Sequence, residues 1–354
     1  MRTDGAGADI LQGLRSAADG AAWASAPLEF LPDRGLAHWH VRLVGTGMLA
    51  RIPKQSQVGL PAQENLRHQQ ACFECAEPSG HTPRLLGVLA PTQALARGAL
   101  LVEEIRGEPP ELPQDLAALA RALASLHRVP APPASLRALL PDPPDPLRDF
   151  VAEVSEQARY LTAAPITAPV RECIEAQLAN LQADAAERAR PPRHLIAFDA
   201  HPGNFVVRAD GSAVLVDLEK CRYSHAGFDL AHATLYTSTT WDAQASAVLT
   251  PHEVAGFYAA WDEGVGKDMA TAAHPWHVPL RRAMWLWSVT WCCKWQVLAD
   301  APRAATAHGE DWSAEISDEV LVAHVRERVA HYLSEPAVER VQDELRQLPR
   351  LLDR

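Results

Sequence analysis

Two carboxylates and an amide, groups that bind hard cations and take up protons, stand close together in one part of the sequence. Asp199 and Asn204 lie in HLIAFDAHPGNFVV (194–207), and Asp217 follows the apolar run AVLV (213–216). Mg²⁺ prefers one or two carboxylates together with phosphate oxygens, so the side chains of Asn204 and Asp217 suit that ion. Asp199 is then free to accept a proton from a hydroxyl. A tight surface turn without any chemistry is the simpler alternative.

The apolar segments on either side of this stretch predict a β-hairpin. FVV (205–207) and AVLV flank a turn at the dipeptide Asp210-Gly211, which is a strong hairpin signal. Such a hairpin brings Asn204 and Asp217 together at its open end. The sequence therefore predicts a site that holds a metal ion beside a hydroxyl, which is the division of labour in phosphoryl transfer.

The same residues resemble a known family. AFDAHPGNFVV followed by VLVDLE is similar to the catalytic loop and metal-binding strand of the aminoglycoside phosphotransferase and choline kinase superfamily, which is related to the protein kinases. FDLA (228–231) matches the segment with a loop-supporting aspartate, and LLVEEIRGEPP (100–110) matches the strand and hinge between two lobes. One departure is Ala197, which stands where the family has a histidine that braces the loop.

This resemblance implies an α+β, bilobal, protein-kinase-like fold with a small β-rich N-lobe and a large, mainly helical C-lobe. It also implies ATP and Mg²⁺ as cofactors, and transfer of the γ-phosphate to a hydroxyl of a small aminoglycoside-, choline- or homoserine-like acceptor. The residue roles that it implies are a catalytic base at Asp199, Mg²⁺ ligands at Asn204 and Asp217, loop support by His201 and Asp229, and a second metal shell at Glu219.

In the N-lobe, the family needs a turn that covers the phosphates and a cation that binds them. RGLAHWHVRLV fits the covering position, although Gly35 is its only glycine. MLARIPK has Arg51 where the family has a lysine or arginine facing the α- and β-phosphates. Lys54 is a rival for this role, but it lies beyond Pro53 and so is predicted to be outside the strand.

The resemblance also implies a carboxylate partner for Arg51 on the following helix. Alignment puts that position near Gln70, so either Gln70 replaces the acid or Glu64 supplies it from a shifted register. At the hinge, the backbone groups of Glu103, Glu104 and Ile105 would bind adenine.

The elements that carry these residues divide the chain into two predicted domains. Residues 1–107 form a nucleotide-binding lobe, with a short amphipathic helix followed by strands and one helix in the order β, β, α, β, β. Residues 108–354 form a helical lobe that contains the catalytic loop and the acceptor site, after a connector near 107–112. Helices are predicted over 10–24, 112–129, 145–160, 168–189 and 318–348.

Two features bear on the acceptor. Residues 1–107 are charge-neutral, so the whole net charge of −11 belongs to residues 108–354, which is compatible with a cationic small molecule and argues against nucleic acid. Trp287, Trp291 and Trp295 follow one another at four-residue spacing on one face of a helix. That face is either an aromatic wall for a quaternary amine or part of the buried core of the lobe.

Composition limits the class of protein. The chain has 354 residues, 47% of them hydrophobic, and no N-terminal apolar run, so neither a signal peptide nor a membrane span is expected. Six cysteines do not make a disulfide scaffold, which predicts a cytoplasmic protein with buried thiols rather than a zinc site at the Cys72-Cys75 pair. The oligomeric state is left open between a monomer and a homodimer.

The leading hypothesis is therefore a small-molecule kinase. A kinase-like pseudoenzyme that binds nucleotide or a partner without phosphoryl transfer is the alternative, motivated by Ala197 and Gln70. A metal-dependent hydrolase built on His194, Asp199 and His201 is a third interpretation, but it lacks further ligands at helical spacing.

Overall fold

A computed structural model describes residues 4–18, 20–32, 37–56, 59–242, 244–299 and 319–353. Gly35, the glycine expected to cover the phosphates, lies outside these residues. The described chain begins with a sheet-rich part and continues as a larger helical part. None of the helices in the described ranges is both long and apolar enough to span a bilayer.

The N-terminal part is built on a five-stranded antiparallel sheet with strand order β1-β2-β3-β5-β4. A tight turn with Gly45 and Gly47 at positive φ joins β2 to β3, so Arg51 on β3 pairs with His40 on β2. Helix α2 connects β3 to β4 and packs on the sheet. The elements are α1 Asp4–Ala17, β1 Leu28–Phe30, β2 His38–Leu43, β3 Met48–Pro53, α2 Ala62–Ala76, β4 Leu85–Leu89 and β5 Ala99–Glu103.

The C-terminal part is mainly helical. Its helices are α3 Leu116–His127, α4 Ala134–Arg137, α5 Pro146–Ala158, α6 Ala168–Ala186, α7 Ala226–Thr234, α8 Tyr236–Thr239, α9 Pro251–Val265, α10 Lys267–Ala273, α11 His277–Leu298, α12 Glu319–Tyr332 and α13 Glu335–Leu352. Two short antiparallel pairs interrupt them, and these join β6 His194–Ile196 to β9 Arg222–Ser224 and β7 Phe205–Val207 to β8 Ala213–Leu215.

The predicted hairpin is confirmed as the β7–β8 pair. Gly211 has a φ of 78°, a conformation that suits glycine, and the Asp210 carboxylate accepts hydrogen bonds from the backbone and hydroxyl of Ser212. The turn therefore sets the register that brings the two ends of the hairpin together.

Three element predictions were wrong in detail. The first helix is Asp4–Ala17 rather than 10–24, and the short strand β1 was not predicted. The run 318–348 forms two helices, because the helical conformation is interrupted at Leu333-Ser334 and a proline stands in the first turn of α13. Proline is favoured in the first turn of a helix, so Pro336 marks the start of a new helix here.

One hydrophobic core crosses the boundary between the two parts. Leu66 and Phe73 on α2 and Val102 on β5 belong to the same buried cluster as Leu123 on α3 and Phe205 on the hairpin. A second cluster lies among α5, α6, α7 and α11. The six cysteines are free and five of them are buried, as predicted. The shared core fixes the sheet against the hairpin and so fixes the cleft between them.

Candidate active site

The loop that precedes β7 is held by one buried aspartate. Asp229 on α7 is fully buried, and its carboxylate accepts hydrogen bonds from the backbone N–H groups of Ala197 (2.8 Å) and Phe198 (2.7 Å). Trp261 Nε1 donates to His127 Nδ1 at 2.9 Å, so His127 has its proton on Nε2 and donates it to Asp229 at 3.0 Å. These contacts brace the loop although Ala197 replaces the family's histidine.

Phe198 adopts a backbone conformation that needs this support. Its φ is 66°, which costs a non-glycine residue about 1–3 kcal/mol. Its ring is buried edge-on against Phe150, Phe228 and Trp287, and the Arg222 guanidinium lies 3.6 Å from the ring centroid. The packing and the two N–H bonds to Asp229 offset the strain, and the left-handed turn directs the next residue, Asp199, into the cleft.

Asp199 lies among three positively polarised groups. Lys220 Nζ is 2.9 Å from Asp199 Oδ2, and His232 Nδ1 is 3.6 Å from Oδ1. Burial opposes the charge of this carboxylate, but Lys220, followed by His201 and His232, outweighs it and holds the pKa of Asp199 well below its usual range. Burial lowers the pKa of His232 to about 4, so that imidazole is neutral and donates from Nδ1 to the Phe198 carbonyl at 3.2 Å.

Asn204 and Asp217 meet at the open end of the hairpin, as predicted. The Val216 N–H donates to the Asn204 carbonyl at 2.9 Å, which ties the two strand ends together. The Asn204 side-chain N–H group donates to the Asp199 carbonyl at 2.7 Å, so its amide oxygen remains as an acceptor. Asn204 and Asp217 both line the cleft, and this pair of oxygen donors fits a Mg²⁺ ion.

Arg51 reaches across the cleft from β3. Its guanidinium donates to Asp217 Oδ1 and to the Val216 carbonyl, both at 2.9 Å, and to His38 Nδ1 at 3.3 Å. Burial raises the pKa of Asp217, but Arg51 opposes this most strongly and holds that pKa below its usual value. In this structure the carboxylate partner of Arg51 is therefore the predicted metal ligand, and the contact from α2 is the Phe73 ring, whose centroid lies 5.6 Å from the guanidinium.

The two candidates for an acidic partner on α2 point elsewhere. Gln70 donates to Glu74 one turn further along the helix at 2.7 Å, and Glu64 is exposed. The residue that faces the site is Gln69, one position before the predicted one, because the helix turns by about 100° per residue. The prediction that Gln70 or Glu64 meets Arg51 is therefore wrong in the described structure.

A buried polar chain continues from Arg51 to Glu219. His38 Nε2 donates to Gln69 Oε1 at 3.2 Å, and Gln69 Nε2 donates to Glu219 Oε2 at 3.3 Å. Burial and the nearby charge of Asp217 raise the pKa of Glu219 well above its usual range. Glu219 therefore lies beside Asp217, where a second metal shell was predicted, in a form that binds protons readily.

The space between the sheet and the hairpin is a cleft of about 710 Å³. Glu103, Glu104 and Ile105 line one end of it, as expected of the hinge. The N–H groups of Glu103 and Glu104 already donate to the carbonyls of Arg84 and Gly47. Within the described residues, the Ile105 N–H has no such partner, which makes it the hinge donor available to a base.

His201 and Gly203 shape the loop near Asp199. The His201 ring lies 5.9 Å from the His232 ring, and its Nδ1 is buried without a hydrogen-bond partner in the described structure. A Cβ atom at Gly203 would lie 2.7 Å from a carboxylate oxygen of Asp242, so only glycine allows this approach. Asp242 thereby adds a negative charge to the cleft beside the loop.

The helical end of the cleft is aromatic. Trp287 and Trp291 on α11 are half-buried and line it, and Trp241 meets Trp291 edge-on with ring centroids 6.0 Å apart. Trp295, in contrast, is buried in the core and does not line the cleft. The core interpretation therefore holds for Trp295, whereas Trp287 and Trp291 form part of the cleft wall.

Sequence patterns alone missed several residues of the cleft. Their contacts join positions that are distant in sequence, and no local pattern marks them. Lys220 is the exception that the sequence could have indicated, since it stands three residues after Asp217 and lysine is rare in this chain. The missed residues of the cleft are His38, Lys220, His232, Trp241 and Asp242, and Gln69, which bonds to His38, was missed as well.

Comparison with known proteins places this geometry in context. The model of a family described as the phosphotransferase enzyme family matches residues 32–266. No curated protein sequence matches the chain.

Solved structures resemble the whole chain. A choline/ethanolamine kinase family protein from Mesorhizobium loti has a TM-score of 0.59 at 16% identity, covering 95% of this chain and 99% of that one. The macrolide 2′-phosphotransferase from Brachybacterium faecium has a TM-score of 0.53 at 15% identity, covering 89% and 98%. The GDP complex of aminoglycoside 2′-phosphotransferase-IIIa has a TM-score of 0.56 at 14% identity, covering 92% and 98%. These similarities confirm the predicted kinase-like fold.

Proposed function

The chain belongs to the phosphotransferase enzyme family, and on that premise we propose that it transfers the γ-phosphate of ATP, with Mg²⁺, to a hydroxyl of a small molecule. The observation that supports this most directly is the meeting of Asp199, Asn204 and Asp217 on one wall of the cleft, opposite Arg51. An inert turn would not need this convergence of charged groups from both parts of the chain.

In this proposal Arg51 exchanges one anionic partner for another. The triphosphate offers oxygens that replace Asp217 at the guanidinium, which releases the Asp217 carboxylate toward the metal. Asn204 and Asp217 would hold Mg²⁺, which supplies positive charge to the phosphate oxygens when bound. Metal binding is then coupled to nucleotide binding, because without nucleotide the cation of Arg51 already neutralises Asp217.

Asp199 would orient the acceptor hydroxyl and take its proton. Its carboxylate is ionised in the described structure, but Lys220 makes it a weak base. The ammonium group can turn toward the transferring phosphate, where negative charge collects, and this would restore the basicity of Asp199 during the reaction. Lys220 is thus proposed as a positioning residue whose ammonium group moves from Asp199 to the transferring phosphate.

The aromatic end of the cleft supports a cationic acceptor. Trp241, Trp287 and Trp291 line it with aromatic rings, and Asp242 offers a carboxylate. Cation–π contacts of this kind favour amines by about 0.5–2 kcal/mol. We therefore rank amino alcohols and aminoglycosides ahead of neutral sugars as acceptors.

The test is acceptor-dependent release of ADP from ATP and Mg²⁺ by the purified chain. Choline, ethanolamine, homoserine, an aminoglycoside and a deproteinised metabolite extract serve as acceptors, with phosphate esters detected by mass spectrometry. We expect a new ester that requires both Mg²⁺ and Asp199. Nucleotide binding without any ester, and without a requirement for Mg²⁺, would favour the pseudoenzyme alternative.

Replacing Lys220 by methionine is expected to shift the pH dependence of the reaction. Lys220 lowers the pKa of Asp199, so its removal raises that pKa, and the acid limb of the kcat/KM profile moves to higher pH. A pH profile measured with saturating Mg²⁺ checks this. Lys267→Met, at an exposed position on α10, is the matched control and should leave the profile in place. An unshifted acid limb in Lys220→Met would contradict the assigned pairing.

A further inference from the structure

We propose that Asp262, His274 and His277 bind a divalent transition-metal ion such as Zn²⁺ at a site separate from the cleft. Asp262 is on α9, His274 begins the short 3₁₀ helix His274–Trp276, and His277 begins α11. None of the three lines the cleft described above. The phosphotransfer chemistry makes no use of them.

One pair of the three side chains already has the spacing of ligands on a tetrahedral ion, and the third lies close to it. Each offers one ligand atom, and these atoms all lie within 4.8 Å of one another. His277 Nε2 and Asp262 Oδ1 are 3.5 Å apart. Zinc bonds to imidazole nitrogen and carboxylate oxygen of about 2.0–2.2 Å place tetrahedral ligands roughly 3.3–3.6 Å apart, so this pair is already spaced for a shared ion.

The hydrogen bonding of this cluster is incomplete in a way that points to a ligand. His277 is 1% exposed, and both of its ring nitrogens lack a hydrogen-bond partner among the described residues. The same is true of Asp262 Oδ1. A buried polar atom without a partner costs about 1–3 kcal/mol, so such atoms are rare in native proteins. One cation between Nε2 and Oδ1 would satisfy both atoms at once.

The surroundings of His277 leave it little freedom to find another partner. Its ring packs edge-on against Tyr258, with centroids 4.7 Å apart, and against Trp261, with centroids 5.9 Å apart. These contacts fix the imidazole plane and keep Nε2 facing Asp262. The orientation is therefore set by packing before any ion arrives, which lowers the cost of binding.

The other side of the cluster is open to solvent. His274 is partly exposed, and its Nε2 lies 3.3 Å from Asp353 Oδ1 beyond the end of α13. A carboxylate on a ligating histidine is the usual outer contact that orients the ring. This side gives an ion an entry path and leaves a coordination position for water or for Asp353.

The choice of metal follows from the donor set. Two imidazoles and one carboxylate favour zinc and its neighbours over Mg²⁺ or Ca²⁺, which prefer oxygen ligands alone. An ion here would join α9 to the start of α11 and, through Asp353, to the C-terminal end of α13. It would therefore act on the stability of the helical part rather than on catalysis.

The experiment uses the full chain without a histidine tag, dialysed against EDTA, in an Asp217→Asn background that weakens the metal site of the cleft. Zinc is added alone, and binding is followed by competition with a chromophoric chelator and by the visible spectrum of the cobalt-substituted protein. We expect one equivalent of bound zinc, a tetrahedral cobalt spectrum, and a melting temperature that rises with zinc.

Asp262→Ala and His274→Ala, both at partly exposed positions, should each raise the zinc dissociation constant at least about tenfold and abolish the zinc-dependent rise in melting temperature. Asp268→Ala and His252→Ala are matched controls on exposed positions of α10 and α9, and they should bind zinc as the parent does. If the parent binds no zinc, or if the site variants bind it as tightly, Asp262 and His277 form only an ion pair and the proposal is overturned. Phosphotransfer activity has no part in these readouts.

Discussion

Replacing Asp199 by asparagine is expected to lower kcat about 10³-fold, within the 10²–10⁴-fold range typical of a general base. Asparagine keeps the shape of the side chain and can still accept a hydrogen bond from Lys220, but it cannot take up the proton of the acceptor hydroxyl. The nucleotide contacts proposed for Arg51 and Ile105 are made elsewhere in the cleft, so the KM for ATP should change little. Steady-state kinetics with the identified acceptor checks both expectations.

The control for this variant is a measurement of binding. Asp199→Asn should keep the Mg²⁺-dependent thermal shift with ATP, because binding to the native state raises the melting temperature whether or not phosphate is transferred. Asp149→Asn, at an exposed position on α5, removes a carboxylate outside the cleft and should leave kcat unchanged. Retained transfer in Asp199→Asn would remove Asp199 from the role of base, and loss of both transfer and binding would indicate a folding defect.

The sequence was most informative where short-range rules decide the structure. The Asp210-Gly211 turn needs a positive φ and two strand segments of matched length, and all three are visible in the sequence, so the meeting of Asn204 and Asp217 could be predicted. The hydrophobic period likewise predicted a helix over 112–129, and the structure has it at Leu116–His127. In these cases the deciding interactions lie within about twenty residues of one another.

The sequence was least informative where packing between distant elements decides. Whether Gln69 or Gln70 faces His38 depends on a rotation of α2 by one residue, which is set by the core around Phe73 and not by the helix itself. Arg51 and Asp217 are 166 positions apart, and their ion pair depends on how the sheet docks on the hairpin. For the same reason, the row of tryptophans could not be divided between core and cleft.

The replacement of the family's loop histidine by Ala197 illustrates a compensation that sequence patterns did not reveal. Two N–H groups of the loop bond to Asp229, and Asp229 is held in turn by His127, which lies 102 positions earlier in the chain. His127 has its proton fixed by Trp261. The brace of the loop that carries Asp199 therefore runs through α3, α7 and α9, so its strength can be tested without a substitution in the cleft.

Replacing Asp229 by asparagine is expected to destabilise the protein by about 2–4 kcal/mol and to lower kcat as well. The carboxylate accepts three buried hydrogen bonds, and an amide in its place turns an N–H group toward at least one of those donors. Phe198 then loses support for its positive φ, and relaxation of the loop displaces Asp199. A displacement of about 1 Å can cost 10²-fold in rate. Thermal unfolding and steady-state kinetics measure the two effects.

The matched variants are at His127. Glutamine there can still accept from Trp261 and donate to Asp229, so His127→Gln should be much less destabilising than His127→Leu, which leaves the Trp261 N–H donor and an acceptor oxygen of Asp229 without this partner. The drop in kcat should follow the same order, because the contacts act on Asp199 only through the backbone of Ala197 and Phe198. If His127→Leu and Asp229→Asn lower stability without lowering kcat, the brace supports the fold of the helical part but does not position the catalytic loop.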